Sequence, residues 1–182
     1  MSILRGMRVF ESSAFVALPL AGMQLAQMGA EVIRFDNLGG GLDHLRRPLA
    51  PNGESLFWHG LNKGKKSFAV NLKSEQGREL VSDLITSDGE DAGLFITNLR
   101  VPGWTDYESL KKKRADLIMV TLKGDRHGGP EVDYTVNPAL GIPHITGAEG
   151  SHEPVANALP AWDCVAGNMV VSSLLAAERD RF

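Results

Sequence analysis

Two carboxylates are the first candidates for chemistry in this sequence. Asp163 (LPAWDC) precedes an apolar helical run, and Asp133 (EVDYTVN) sits in a loop-like stretch beside Tyr134. The structural alternative for Asp163 is a helix N-cap, although Ala166 at the N3 position supplies no capping box. The two roles are compatible, because a carboxylate at a helix N-terminus tends to stay ionised and can face a loop-built crevice. The alternative for Asp133 is the start of a turn.

Other motifs are weaker. GLNKGKKS at residues 60–67 resembles a P-loop, but the spacing between its glycines is one residue short and Lys66 separates Lys65 from Ser67. No GxGxxG fingerprint supports a dinucleotide site. The basic cluster Lys63, Lys65, Lys66 and Lys73 reads either as a solvated strand flank or as a site for a phosphorylated ligand. Gly39, Gly40 and Gly41 either let a ligand approach the backbone or serve a loop that needs positive φ. The histidines (His44, His59, His127, His144, His152) show no metal-ligand spacing, and one cysteine adds little, so a metal site is not expected. A Ser–His–Asp triad has no GxSxG elbow to support it.

The elements that would position these groups alternate in type. Residues 7–10 (MRVF), 31–35 (EVIRF), 67–72 (SFAVNL), 93–97 (GLFIT) and 117–122 (LIMVTL) read as strands. Residues 19–28, 74–87, 107–114 and 165–179 read as helices, with Pro19 at N1 of the first, Gly29 closing it, and Ser74 capping the second. Strand, helix and strand within about 30 residues make a βαβ unit with a right-handed crossover. The expected fold class is α/β: a Rossmann-like open, mainly parallel sheet with flanking helices. Residues 37–66 and 123–160 lack a clear period, and long irregular segments of this kind usually build a site.

Composition narrows the function classes. The chain has 182 residues, 43% hydrophobic and 23% charged, which excludes intrinsic disorder and suits one ordinary domain. A net charge of −3 gives no reason to expect a nucleic-acid partner. Cys164 alone makes no internal disulfide. No apolar run approaches the ~20 residues of a membrane span, and MSILRGMRVF has no signal-peptide core. A cytoplasmic protein without membrane partners is expected.

The pattern GMRVFESSAFVALPLAGMQLAQMGAEVIRFDNLGGG, followed by LNKGKKSFAVNLKSEQG and FITN, resembles the family III CoA-transferases across essentially the whole chain. EVDYTVNPALGIPHITG and LPAWD resemble an intramolecular branch of that family, which moves CoA between two carboxylates of one unsaturated dicarboxylic acid. The resemblance implies a large Rossmann-like domain, of which residues 1–182 would be the N-terminal part. It also implies a small domain outside this chain and an interlocked homodimer. Coenzyme A would enter as the acyl-CoA thioester substrate.

The resemblance further implies an aspartate nucleophile, an acyl-aspartyl anhydride and an aspartyl-CoA thioester. An aspartate with a pKa of about 3.9 is ionised at neutral pH and able to attack a thioester. The first Asp after the family's TG step, here Thr146–Gly147, is Asp163, with Asp133 second. Asp133 also resembles the aspartate of a His–Asp pair in the racemase branch. Val132 stands at the histidine's position there and cannot move a proton, which removes the racemase reading. For CoA contacts the matching residues are Phe15 and Val16 near the adenine, with Lys73, Asn98 and Lys123 just past strand ends. Asn37 replaces a phosphate-contacting arginine of one branch, with Arg46 or Arg47 as substitutes. The rival readings are an intermolecular acyl-CoA transferase and a non-catalytic CoA-binding fragment.

Overall fold

A computed structural model describes residues 2–99 and 103–181. Five strands carry the fold: β1 (Arg8–Ser12), β2 (Glu31–Asn37), β3 (Lys66–Val70), β4 (Leu94–Thr97) and β5 (Ile118–Thr121). All are parallel, in the order β3-β2-β1-β4-β5. This doubly wound order reverses direction between β1 and β4, the position at which open α/β sheets bind ligands beyond the strand C-termini. Parallel strands need crossovers, which explains why strands and helices alternate along the chain.

The period-2 pleat sends alternate residues to opposite faces. Val9, Val32, Leu94 and Ile96 face one layer, formed by α1 (Ala17–Gln27) and α7 (Ala161–Arg181), whose Leu18, Leu25, Val170 and Leu174 fill that core. Phe10, Phe35 and Phe95 face the other, where α3 (Glu75–Ile85) supplies Val81 and Ile85 and α4 (Tyr107–Lys111) supplies Leu110. The Phe35 and Phe95 rings stack 6.1 Å apart across that face.

The terminators read from sequence act as expected. The Ser74 hydroxyl accepts from the Gly77 amide at 3.1 Å, and Gly29 leaves α1 with φ +102°. Helix α1 starts at Ala17, two residues earlier than Pro19 would place it. Proline is still tolerated there, because the N–H it lacks is one of the first-turn donors without an intrahelical acceptor.

The two irregular stretches differ from expectation. Residues 37–66 contain α2 (Leu56–Leu61), and residues 123–160 contain α5 (Asp133–Ala139) and α6 (Ile142–Ile145). Neither α2 nor α6 has a buried residue, so no apolar stripe marks them. Local caps mark α2 and α5 instead. The Ser55 hydroxyl accepts from the Trp58 amide at 3.0 Å, and the Thr135 hydroxyl accepts from the Val132 amide at 3.0 Å. Among the described residues, no helix is long and apolar enough to cross a membrane.

One face of α7 holds it to the sheet. Leu174 is fully buried, whereas Met169 on the same helix is 60% exposed. In the 182-residue chain, Leu174→Ala is expected to cost about 2–5 kcal/mol of unfolding free energy. Met169→Ala should stay within about 0.5 kcal/mol. Urea unfolding of the two variants checks which face is packed.

Candidate active site

The site is built around the loop joining β1 to α1. Where that loop leaves the sheet it is clamped from β4. The Asn98 side chain accepts from the Ala14 amide and donates to the Ala14 carbonyl, both at 3.0 Å. Asn98 therefore holds the switch-point loop with both ends of its amide. The next residue, Phe15, has φ +70°, a left-handed conformation that costs a non-glycine residue about 1–2 kcal/mol. Its amide donates to Asp43 Oδ2 at 3.1 Å.

Asp43 belongs to a buried charge network beneath the loop. Arg34 Nη2 donates to Asp43 Oδ1 at 2.8 Å and to the Ser13 carbonyl at 3.0 Å. The same guanidinium meets Asp36 through Nε at 2.8 Å and Nη2 at 3.2 Å, and Asn62 through Nη1 at 3.1 Å. Lys65 Nζ donates to Glu11 at 2.7 Å, to Asn62 Oδ1 at 2.8 Å and to the Pro19 carbonyl at 2.9 Å. Burial opposes the Arg34 cation, but Asp36, Asp43 and Glu11 outweigh it and leave its pKa above the ordinary value. For Lys65 burial wins over the attraction of Glu11, and its pKa falls below the usual lysine range.

The basic cluster read from sequence does not form one phosphate site. Lys65 is locked into this network, and Lys66 is paired with Glu31 at the start of β3. Lys73 lies beyond the opposite end of that strand, and both Lys63 and Lys73 are exposed. Asn37 is a structural stitch, its Oδ1 accepting from the Leu72 amide at 3.2 Å.

Asp163 sits inside the first turn of α7, which starts at Ala161, ahead of the expected 165. The expected N-cap role therefore falls to another residue. Asp133 Oδ2 accepts from the Trp162 amide at 2.8 Å, so Asp133 caps α7 from outside. The Trp162 indole N–H donates to Asn137 at 3.1 Å, which ties α5 to the same helix end. Gly167, one turn after Asp163, lets α7 touch α1; a Cβ there would lie 2.7 Å from the Ala17 carbonyl oxygen. This contact sets the first turns of α7 against the start of α1, whose N-cap is Val16.

Asp163 is half-buried, and burial raises its pKa above the ordinary carboxylate value. The nearby Asp133 carboxylate raises it further, and the Arg46 cation opposes both. The ionised form is therefore disfavoured by the fold. That cost is present above the raised folded pKa and disappears as pH falls below the unfolded value. The Arg46 guanidinium stacks over the Phe57 ring at 4.5 Å and the Phe15 ring at 5.2 Å.

Of the sequence candidates, Phe15, Val16 and Asn98 lie at the switch-point loop, and Asp133 and Asp163 meet at the start of α7, the helix packed on α1. Lys73 and Lys123 do not join them; both are exposed, beyond β3 and β5 at opposite edges of the sheet. Sequence reasoning missed Asp43. The available signal was charge in central strands, Glu11 in β1 and Arg34 and Asp36 in β2, where a parallel sheet buries both faces and each charge needs a partner.

A doubly wound parallel α/β domain, with a half-buried carboxylate on the first turn of α7, defines the structural class. A family model for CoA-transferase family III matches residues 4–181, and the chain belongs to that family. It is 58% identical over 180 residues to 2-methylfumaryl-CoA isomerase of Chloroflexus aurantiacus, covering 98% of this chain and 44% of that protein. It is 34% identical to a succinate–glutarate CoA-transferase of Agrobacterium fabrum, covering 96% of this chain and 46% of that one. Among solved structures, a CAIB/BAIF family protein from Brucella suis superposes with a TM-score of 0.85 at 29% identity, covering 98% of this chain and 49% of that chain. The chain thus spans about half the length of the relatives it matches.

The coupling of the two aspartates is testable without turnover. Asp133→Asn keeps an oxygen to accept from Trp162 but removes the like charge, so the Asp163 carboxyl should titrate at lower pH. A 13C NMR titration of that carboxyl checks the shift; an unmoved midpoint would refute the coupling. Asp133→Ala should add a loss of about 1 kcal/mol of stability by removing the cap.

Proposed function

We propose that this chain supplies the nucleophile and much of the CoA site of an enzyme that moves CoA between the carboxylates of an unsaturated dicarboxylic acid. The observation that carries the reading is Asp163: a half-buried carboxylate on the first turn of an externally capped helix that packs against the start of α1. The 58% identity to a 2-methylfumaryl-CoA isomerase supports the choice of substrate class. The small domain, the homodimer and a cytoplasmic location belong to the same proposal for the full-length protein.

The chemistry balances without an external acid or base. The Asp163 carboxylate attacks the thioester carbonyl, the C–S bond breaks, and an acyl-aspartyl anhydride and CoA thiolate result. The thiolate attacks the aspartyl carbonyl of the anhydride, forming an aspartyl-CoA thioester and releasing the acid as its carboxylate. The acid's other carboxylate then attacks this thioester, giving a new anhydride and expelling the thiolate. Thiolate attack on the acyl carbonyl finally frees Asp163 and leaves CoA on the second carboxylate. An acid retained in the site makes the second capture effectively unimolecular.

Each remaining residue has a role in this reading. Asn98 and Asp43 position the loop, and Phe15 and Val16 contact the CoA. Lys73 and Lys123, as mobile point charges at the two sheet edges, meet its anionic groups. Asp133 acts on Asp163 through the α7 cap and its charge, a positioning role that replaces the second-nucleophile reading.

In the full-length protein, Asp163→Asn is expected to abolish transfer. Hydroxylamine added during turnover should convert Asp163 to a hydroxamate, located by peptide mass spectrometry. An adduct on another side chain, or full turnover by the variant, would overturn the assignment.

A further inference from the structure

Arg46 carries a cation held in place but not consumed. Its main chain is fixed at both ends: its amide donates to the Asp43 carbonyl at 3.1 Å, and its carbonyl accepts from the Ser55 hydroxyl. Its exposed side chain lies over two aromatic rings, with the guanidinium carbon 4.5 Å from the Phe57 centroid and 5.2 Å from the Phe15 centroid, and these contacts restrict where the cation sits. Among the described residues, no hydrogen bond or ion pair occupies its N–H groups. Asp43 also anchors the Phe15 amide, so the arginine and the switch-point loop share one buried support.

The α7 helix reaches the same place. Gly167 touches Ala17, two residues after Phe15, and Asp163 lies one turn closer to the helix start. The Arg46 charge is felt at Asp163, yet the two groups do not close to an ion pair. The guanidinium over Phe15 and the first turns of α7 thus both border the β1–α1 connection, with no ion pair between Arg46 and Asp163 among the described residues. A planar fork of this kind matches a carboxylate in bidentate geometry.

We propose that Arg46 binds the free carboxylate of the acyl group, the one not engaged in the thioester, and so selects dicarboxylic over monocarboxylic acyl-CoA substrates. The assignment rests on the transferase reading above and deepens it. A CoA phosphate is the other anion available. The whole pantetheine arm separates the phosphates from the thioester, so a cation beside the nucleophile is beside the acyl group. When CoA changes carboxylates, the two ends of the acid exchange places, and the same guanidinium holds whichever carboxylate is free.

The test uses the full-length protein and exchange of labelled CoA into an acyl-CoA. Exchange needs only anhydride formation and attack of labelled thiolate on the acyl carbonyl, so a thioester without a second carboxylate can be compared. Two thioesters are measured: that of the unsaturated dicarboxylic acid, and its analogue with a methyl group replacing the free carboxylate. Arg46→Gln is expected to lower the ratio of their kcat/KM values by about tenfold or more, because a site built to bind a polar group discriminates strongly against its absence. Rates for both thioesters should also fall in common, because Asp163 loses a compensating charge. Arg46→Lys, which keeps the charge but loses the fork, should restore only part of the ratio. An unchanged ratio would overturn the proposal. So would a Gln effect that vanishes with dephospho-CoA thioesters, which would assign Arg46 to the phosphate. If the wild-type protein exchanged label into neither thioester, the transferase reading would fall and this assignment with it.

Discussion

The C-terminal edge of the sheet depends on the Arg34 guanidinium, a planar cation that is 1% exposed. Its nitrogens reach Asp36, Asp43, Asn62 and the Ser13 carbonyl, so one side chain joins β2, the β1–α1 loop, the loop carrying Asp43 and the end of α2. A lysine has no fork to divide among four partners. The network holds two buried cations, Arg34 and Lys65, against three carboxylates, Glu11, Asp36 and Asp43. Stripping one partner from such a set typically costs about 3–5 kcal/mol, since the remaining charges stay buried. Among the described residues, one oxygen, Glu11 Oε2, lacks a hydrogen-bond partner and lies against Gly22, where any Cβ would collide with it.

From Arg34 the constraint passes through Asp43 to the site. A charge-assisted hydrogen bond of about 1.5–3 kcal/mol is large enough to hold Phe15 in a conformation that costs about 1–2 kcal/mol. Once Phe15 is fixed, its ring orients Arg46. At Asp163 the forces are opposed. The α7 N-terminus and Arg46 favour the carboxylate, while burial and Asp133 disfavour it, and the raised pKa says that the second pair wins. A carboxylate held above its ordinary pKa is a better base and a better nucleophile once ionised. That property suits a group that must both form and surrender an acyl bond.

The parts of this arrangement legible in the sequence were those written in local periodicity and caps. Five strands, the parallel class, the Ser74 cap and the Gly29 terminator follow from pattern alone, because apolar alternation and end signals are local. The short helices α2, α5 and α6 are not legible that way, since they bury almost nothing, and α6 lacks even the side-chain N-terminal cap bond that α2 and α5 have. The α7 cap comes from Asp133 and not from the adjacent Asp163 that local sequence suggests. Asp133 and Trp162 are 29 residues apart, and no local rule can find a cap supplied from that distance. Sequence offers Arg46 or Arg47 only as a substitute for a phosphate-contacting arginine, because the placement of Arg46 over Phe15 and Phe57 requires a loop and a helix to meet.

The placement of the exposed lysines constrains any ligand of this edge. Lys73 and Lys123 follow β3 and β5, four strand spacings apart, or about 19 Å at roughly 4.8 Å per spacing. A compact anion meets one of them at most. A ligand that meets both is extended along the strand ends, and its path crosses β1 and β4, where Asn98 and Phe15 close the surface. Asp163 stands to one side of that path, on the α1–α7 layer. The edge therefore separates two tasks: charges at its ends suit a long anionic handle, and the carboxylate beside its centre suits a reactive terminus turned toward α7. Coenzyme A, with phosphates at one end and sulfur at the other of a flexible arm, divides its chemistry in the same way.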